Sequence, residues 1–202
     1  MTLDLGRISE AVSGLRCRGA LNVHQRGPVP LARYFEETNL DHVELPVLTV
    51  GEVAKYLRQQ GIDANAIGDP ADVLAGFVFT AGRVGWAFVS GADPVPRRRF
   101  SAAHELGHFL LHRDTMGRFR ADTDATLCEA DGEVADLMER EANRFAAELL
   151  MPADICRMRA VELEEEYDCC PRGVLAYRLA SELLVSREAM RYRLLGLEVG
   201  DG

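Results

Sequence analysis

Residues 96–112 read PRRRFSAAHELGHFLLH, and residues 133–150 read EVADLMEREANRFAAELL. The first stretch opens on a proline, which suits the first turn of a helix. It contains His104-Glu105-Leu106-Gly107-His108, an HExxH pattern. On a helix, histidines four residues apart share one face, about 6 Å apart along the axis. Two imidazoles so placed can converge on one Zn²⁺ at about 2.0–2.1 Å each. Glu105 then points to the side of the metal, where it can take a proton from the attacking water. Phe109, Leu110 and Leu111 follow, as a helix buried in a core requires. A surface or core helix can also carry five such residues by chance, so the rest of the chain decides.

A catalytic zinc takes three protein ligands and keeps one position open. The metzincin continuation needs glycine and histidine where this chain has Leu111 and Asp114. His112 continues the i, i+4 series, but lies about 12 Å along the axis from His104, so one ion cannot bind both. It reads as a helix C-terminal residue near the negative end of the dipole. The second stretch offers the third ligand. At about 100° per residue its apolar arc runs through Val134, Phe145, Met138, Leu149, Ala142, Ala135, Ala146 and Leu150. Glu139 falls inside that arc, and Glu141 at its edge beside Glu148. A carboxylate aimed into a core is costly unless paired or metal-bound. Glu139 is the first-choice ligand, with an arginine-bonded buried glutamate as the competing reading; Glu141 is the second choice. Asn143, one turn beyond Glu139, is placed to hydrogen-bond a ligand.

Working outward, Leu5, Ile8, Val12 and Leu15 repeat at helical spacing over 4–16. Gly27, Pro28 and Pro30 mark a connection, and 31–46 gives weak signals. Thr49 and Glu52 form a capping box for a helix carrying Val50, Val53, Ala54 and Leu57, stopped by Gly61. GFVFTAGRVGWAFVS, 76–90, reads as a hairpin broken at Ala81-Gly82-Arg83, with Trp86 in the core between sheet and helix. Residues 113–132 are acidic and aperiodic and read as a mobile loop. The remainder, 153–202, is helical with breaks at Pro171-Arg172-Gly173 and near Gly196. This divides the chain into an N-terminal extension (1–45), a core (46–155) and a C-terminal helical part (156–202). The class is α+β, with a small antiparallel sheet packed on the HExxH helix.

The chain has 202 residues, 48% hydrophobic and 27% charged, as an ordinary globular protein does. Its N-terminus is amphipathic rather than basic-then-apolar and no run suits a membrane span, so a cytoplasmic location is expected. The net charge of −9 argues against direct nucleic-acid binding and for protein partners. Five cysteines without CxxC spacing (Cys17, Cys128, Cys156, Cys169, Cys170) read as free thiols, although Cys169-Cys170 has the makings of a redox pair.

Arg99-Phe100-Ser101-Ala102-Ala103-HELGH, then Glu139-x-x-Ala142-Asn143-x-Phe145-Ala146-Ala147-x-Leu149-Leu150-Met151-Pro152, resembles the ImmA/IrrE family of metallo-endopeptidases over about 75–155. The resemblance implies one zinc per chain, with the glutamate three residues before the Ala-Asn pair as third ligand; carried over, that is Glu139. It also implies a minimal gluzincin-like core with a small sheet over the active helix. Family members cut helix-turn-helix repressors and so derepress stress or mobile-element genes. That substrate is an analogy. The first 45 residues do not resemble the helix-turn-helix domain some members carry.

In this reading Glu105 is the general base, and an extended substrate pairs with the open edge of the 76–90 hairpin. Tyr177, Arg178, Arg191 and Tyr192 are candidate donors to the developing oxyanion by residue type alone. Arg97-Arg98-Arg99 reads as a solvated face. LASELLVSREAMRYRLLGL, 179–197, resembles a helix-turn-helix with Ser186 as N-cap and Arg187, Arg191 and Arg193 on its second helix. Its near-neutral charge suits packing or repressor docking better than DNA. Two other classes compete with a protease: a regulator using the metal core as a sensor module, and a silent structural zinc protein. The intact Glu105 and an open fourth position favour the protease.

Overall fold

The computed structural model describes residues 2–18, 27–64, 67–122, 133–167 and 171–200. Among these, the order is α1 (Leu5–Arg18), α2 (Leu31–Glu36), β1 (Leu40–Leu45), α3 (Val50–Gln59), β2 (Gly76–Ala81), β3 (Val84–Ser90), α4 (Val95–His112), β4 (Phe119–Asp122), α5 (Glu133–Leu150), α6 (Ala153–Tyr167), α7 (Arg172–Leu183) and α8 (Arg187–Gly196). The class is α+β, as expected.

Local chemistry accounts for most boundaries. The Thr49 hydroxyl accepts from Glu52 N at 3.3 Å, satisfying one orphan donor of α3. Gly82, at φ +66°, turns the β2–β3 hairpin, a backbone geometry that favours glycine. Ser186 Oγ accepts from Ala189 N at 3.1 Å and caps α8. Two elements escaped the sequence reading of 31–46, namely α2 and β1. α2 is under two turns long, and β1 (LDHVEL) is polar and largely exposed, so neither shows a clear period.

The sheet order is β1-β3-β2-β4, with β1–β3 parallel and the other pairs antiparallel. Both hairpin strands are therefore flanked on either side. The expectation of an open hairpin edge is corrected: the edges are β1 and β4. β4 lies within the stretch read as a loop, and is too short to show alternation; residues 123–132 of that stretch fall outside the described residues.

Both faces of the sheet are covered. Val78, Ala87 and Val89 join the main core with α1, α4, α5, α7 and α8. Phe77, Phe79 and Phe88 point the other way, into a second cluster with Val53, Ala54 and Leu57 of α3. Two buried faces explain why 76–90 is a nearly unbroken apolar run. Trp86 is half-buried on the α3 side near Phe79, with ring centroids 6.2 Å apart, rather than against the active helix.

The terminal helices share the central core. Ile8, Val12 and Leu15 of α1 and Leu179, Leu183, Met190 and Leu194 of α7 and α8 are buried in it. Arg159 on α6 grips Glu182 on α7 through Nε and Nη2 at 2.9 and 2.7 Å. Arg193 is buried and donates from Nε to the Met151 carbonyl at 2.9 Å, which places one of the three α8 arginines inside. The Cys169-Cys170 pair and Cys128 lie outside the described residues, while Cys17 and Cys156 are free thiols.

Candidate metal centre

α4 and α5 cross closely because Gly107 offers no side chain at their contact. A Cβ there would stand 3.0 Å from Phe145 Cδ1 and 3.3 Å from Ala142 Cα. This approach brings Glu139 on α5 to His104 and His108 on α4. All three side chains are buried, and their ligand atoms form one cluster capable of holding a metal ion. His104 Nε2 and His108 Nε2 are 2.9 Å apart. Glu139 Oε2 lies 3.2 Å from the first, and Oε1 3.3 Å from the second. Ligand atoms on a tetrahedral zinc at about 2.0–2.2 Å stand roughly 3.3 Å apart. The separations, measured to one or the other carboxylate oxygen, are close to that value, so the residues fit a metal of this class.

The opposite ring nitrogens are also engaged. His104 Nδ1 lies 3.1 Å from Asn143 Oδ1, so the amide oxygen accepts the imidazole proton. His108 Nδ1 lies 3.1 Å from His112 Nδ1. His112 Nε2 lies 2.9 Å from Glu141 Oε2, and Glu141 Oε1 accepts from Asp4 N at 3.3 Å. His112 is the last residue of α4, as expected. It is buried there and engaged by the His108 and Glu141 side chains. Glu141 turns toward His112 and stands outside the His104–His108–Glu139 cluster.

Electrostatics suit the donor set. Burial pushes the Glu139 carboxyl up, but hydrogen bonds and charge from His104 and His108 outweigh it and hold the group well below the usual carboxylate range. It is therefore an anion at neutral pH. Arg120 on β4 also donates from Nε to Glu139 Oε1 at 2.6 Å. The arginine partner and the histidine cluster, opposed readings of a buried glutamate in sequence, meet on one carboxylate. Burial lowers the His112 imidazole, against the raising effect of Glu141, and so favours its neutral form.

Glu105 is buried beside this cluster. With His104 it lines a cavity of about 220 Å³, together with Ala75, Gly76, Arg97, Phe100 and Ser101. Gly76 makes room for the carboxylate, since a Cβ there would overlap Glu105 Oε1. The four oxyanion candidates sit elsewhere. Tyr177 and Tyr192 are exposed on α7 and α8, Arg178 lies over the Tyr167 ring, Arg191 lies over Tyr192, and none lines this cavity. The arginine run splits around α4: Arg97 faces the cavity and pairs with Asp93 at 3.2 Å, Arg98 bonds Glu44 at 2.6 Å, and Arg99 donates to the Val29 carbonyl.

Gly76, Gly107, Arg120 and the bonding of His112 escaped the sequence reading. His112 carried a usable signal, because it extends the His104–His108 stripe on a helix whose partner carries Glu141. Arg120 carried none, being placed by a four-residue strand.

Among the described residues, no helix is long and apolar enough to cross a membrane. No curated protein matches the chain. The IrrE N-terminal-like domain of peptidase M78 matches residues 58–195, from the end of α3 into α8. That span holds the HExxH helix, its partner helix α5 and strands β2, β3 and β4, and covers well over half of the sequence. The chain thus belongs to the ImmA/IrrE family of metallopeptidases.

Proposed function

We propose that this metallopeptidase is a zinc-dependent endopeptidase acting in the cytoplasm, with a helix-turn-helix transcriptional repressor as substrate. Removal of the repressor would release stress or mobile-element genes. The observation that carries the catalytic reading is the placement of Glu105 and His104 on one cavity, next to a buried His-His-Glu triangle. Two imidazoles and one carboxylate, with a further position facing a cavity, are a donor set suited to catalytic zinc.

His104, His108 and Glu139 would hold the ion. When bound, zinc supplies Lewis acidity, polarising the scissile carbonyl and making water easier to deprotonate. Glu105 takes the proton of the attacking water and delivers it to the leaving amine. Gly76 sets where that carboxylate stands, and Arg120 holds Glu139 through Oε1, the oxygen that also lies 3.3 Å from His108 Nε2. An extended substrate adds to the open edge of β4, which pairs only with β2 among the described residues. A segment lying along an edge strand needs no chain end at the site, which favours internal cleavage. Arg97, paired with Asp93, is the cationic side chain on the cavity wall.

The repressor rests on family analogy, and a repressor encoded beside this gene is the first to test. Glu105→Gln should still bind zinc yet leave a co-expressed repressor intact, while the wild-type chain cleaves it. Undiminished cleavage by Glu105→Gln would remove the protease mechanism. Intact repressor with the wild-type chain would remove that substrate, and zinc binding without any cleavage would leave the sensor-module reading in its place.

A further inference from the structure

The outer contacts of the two histidines differ in kind. Asn143 reaches His104 directly, whereas His108 is reached by a second imidazole that is itself held by a carboxylate. We propose that His112 is a positioning residue for the metal ligand His108, fixing its tautomer through a Glu141–His112–His108 chain. This rests on the zinc reading above.

The argument is one of proton placement. Glu141 Oε2, 2.9 Å from His112 Nε2, places the His112 proton on Nε2. A neutral His112 then presents a bare Nδ1. That lone pair is 3.1 Å from His108 Nδ1, so the hydrogen bond between them needs the His108 proton on Nδ1. In the neutral ring that a metal requires, His108 Nε2 is thereby left with its lone pair directed toward His104 Nε2 and Glu139, where a metal would sit. The opposite tautomer would put a proton on the coordinating atom. His108 and His112 are 0 and 3% exposed, so water cannot replace the missing acceptor at low cost.

The chain is anchored at its far end. Glu141 also accepts from Asp4 N, and Arg7 of α1 donates to the Leu111 carbonyl beside His112. Groups bonded in this way around a metal ligand commonly change affinity by about 10–100-fold when removed.

The test compares three substitutions in the full chain by zinc competition against a chromogenic chelator, with metal-free thermal melts as a folding control. His112→Leu removes the acceptor and should weaken zinc about 10–100-fold. His112→Asn puts an amide oxygen near the Nδ1 position and should restore affinity close to wild type. His112→Gln places its amide near the Nε2 position, keeps a donor to Glu141, and should bind as weakly as the leucine variant. Should His112→Leu fail to fold, the Asn and Gln pair decides alone. Equal affinity of Asn and Gln, or wild-type affinity in Leu, would overturn the assignment while leaving the zinc site standing. A wild-type chain that binds no zinc would overturn both.

Discussion

Gly76 on β2 and Glu105 on α4 are in direct contact: a Cβ on residue 76 would overlap Glu105 Oε1 and stand 3.0 Å from its Cδ. The sheet does more than cover the HExxH helix, because one missing side chain sets the position of the candidate general base. Gly76 pairs with Asp122 of β4, so the same residue links that carboxylate to the edge strand.

Gly76→Ala should therefore act on catalysis rather than on metal binding. A displaced general base commonly costs about 10²–10⁴-fold, and a fall in kcat of that order is expected. Zinc content, measured on the same samples, should be unchanged. An unaltered kcat would mean that Glu105 works from another position.

Gly107→Ala tests the α4–α5 approach. Alanine gains about 1 kcal/mol in helix propensity over glycine. Against this, the added methyl meets Ala142 Cα at 3.3 Å, a backbone atom that cannot swing aside, and Phe145 Cδ1 at 3.0 Å. Overpacking typically costs about 1–3 kcal/mol, so a net loss is expected. The melting temperature should fall, and zinc affinity with it, because Glu139 rides on the displaced helix.

The ionisation of Glu139 gives a pH signature in chelator-treated protein. Its carboxyl is held below its ordinary 4.5, so its ionised form stabilises the fold. That stabilisation is present above about pH 4.5 and is lost as pH falls toward the folded-state value. Glu139→Gln should thus melt lower than wild type at neutral pH, with the gap narrowing below about pH 4.5. A gap independent of pH would show that the charge does not contribute.

The two described cysteines should differ in reactivity. Burial pushes the Cys156 thiol up to about 11, against a lowering effect from Arg193, while Cys17 is exposed. Iodoacetamide at pH 8 should label Cys17 in the native protein and reach Cys156 only after unfolding, as read by peptide mass spectrometry. Rapid native labelling of Cys156 would contradict the packing of α6.

The chemistry-bearing part of the fold was legible because it is helical and long. His104 and His108 are related by one turn, and Glu139 is the charged residue inside an apolar arc, so period alone brings all three to the right faces. β4 was not legible, since a strand of four residues carries too little pattern, and β1 (LDHVEL) was not because it is polar and largely exposed. The hairpin was recognised but its neighbours were not, because a buried apolar run does not say which strands flank it. That hid the true edge of the sheet, and Arg120 with it. The four oxyanion candidates were chosen by residue type, which carries no information on direction, and they lie on outward faces of α7 and α8. Glu141 was placed at the edge of the arc and is buried there, but its partner is His112, a pairing visible only once α4 and α5 are docked.

The central claim is that His104, His108 and Glu139 together hold one zinc ion. Elemental analysis of the purified chain after dialysis against micromolar zinc tests it most directly. Wild type and Glu141→Ala should each carry one zinc per chain, and Glu139→Ala should be essentially free of it while remaining folded by circular dichroism. Full zinc occupancy in folded Glu139→Ala, or loss confined to Glu141→Ala, would contradict the assignment.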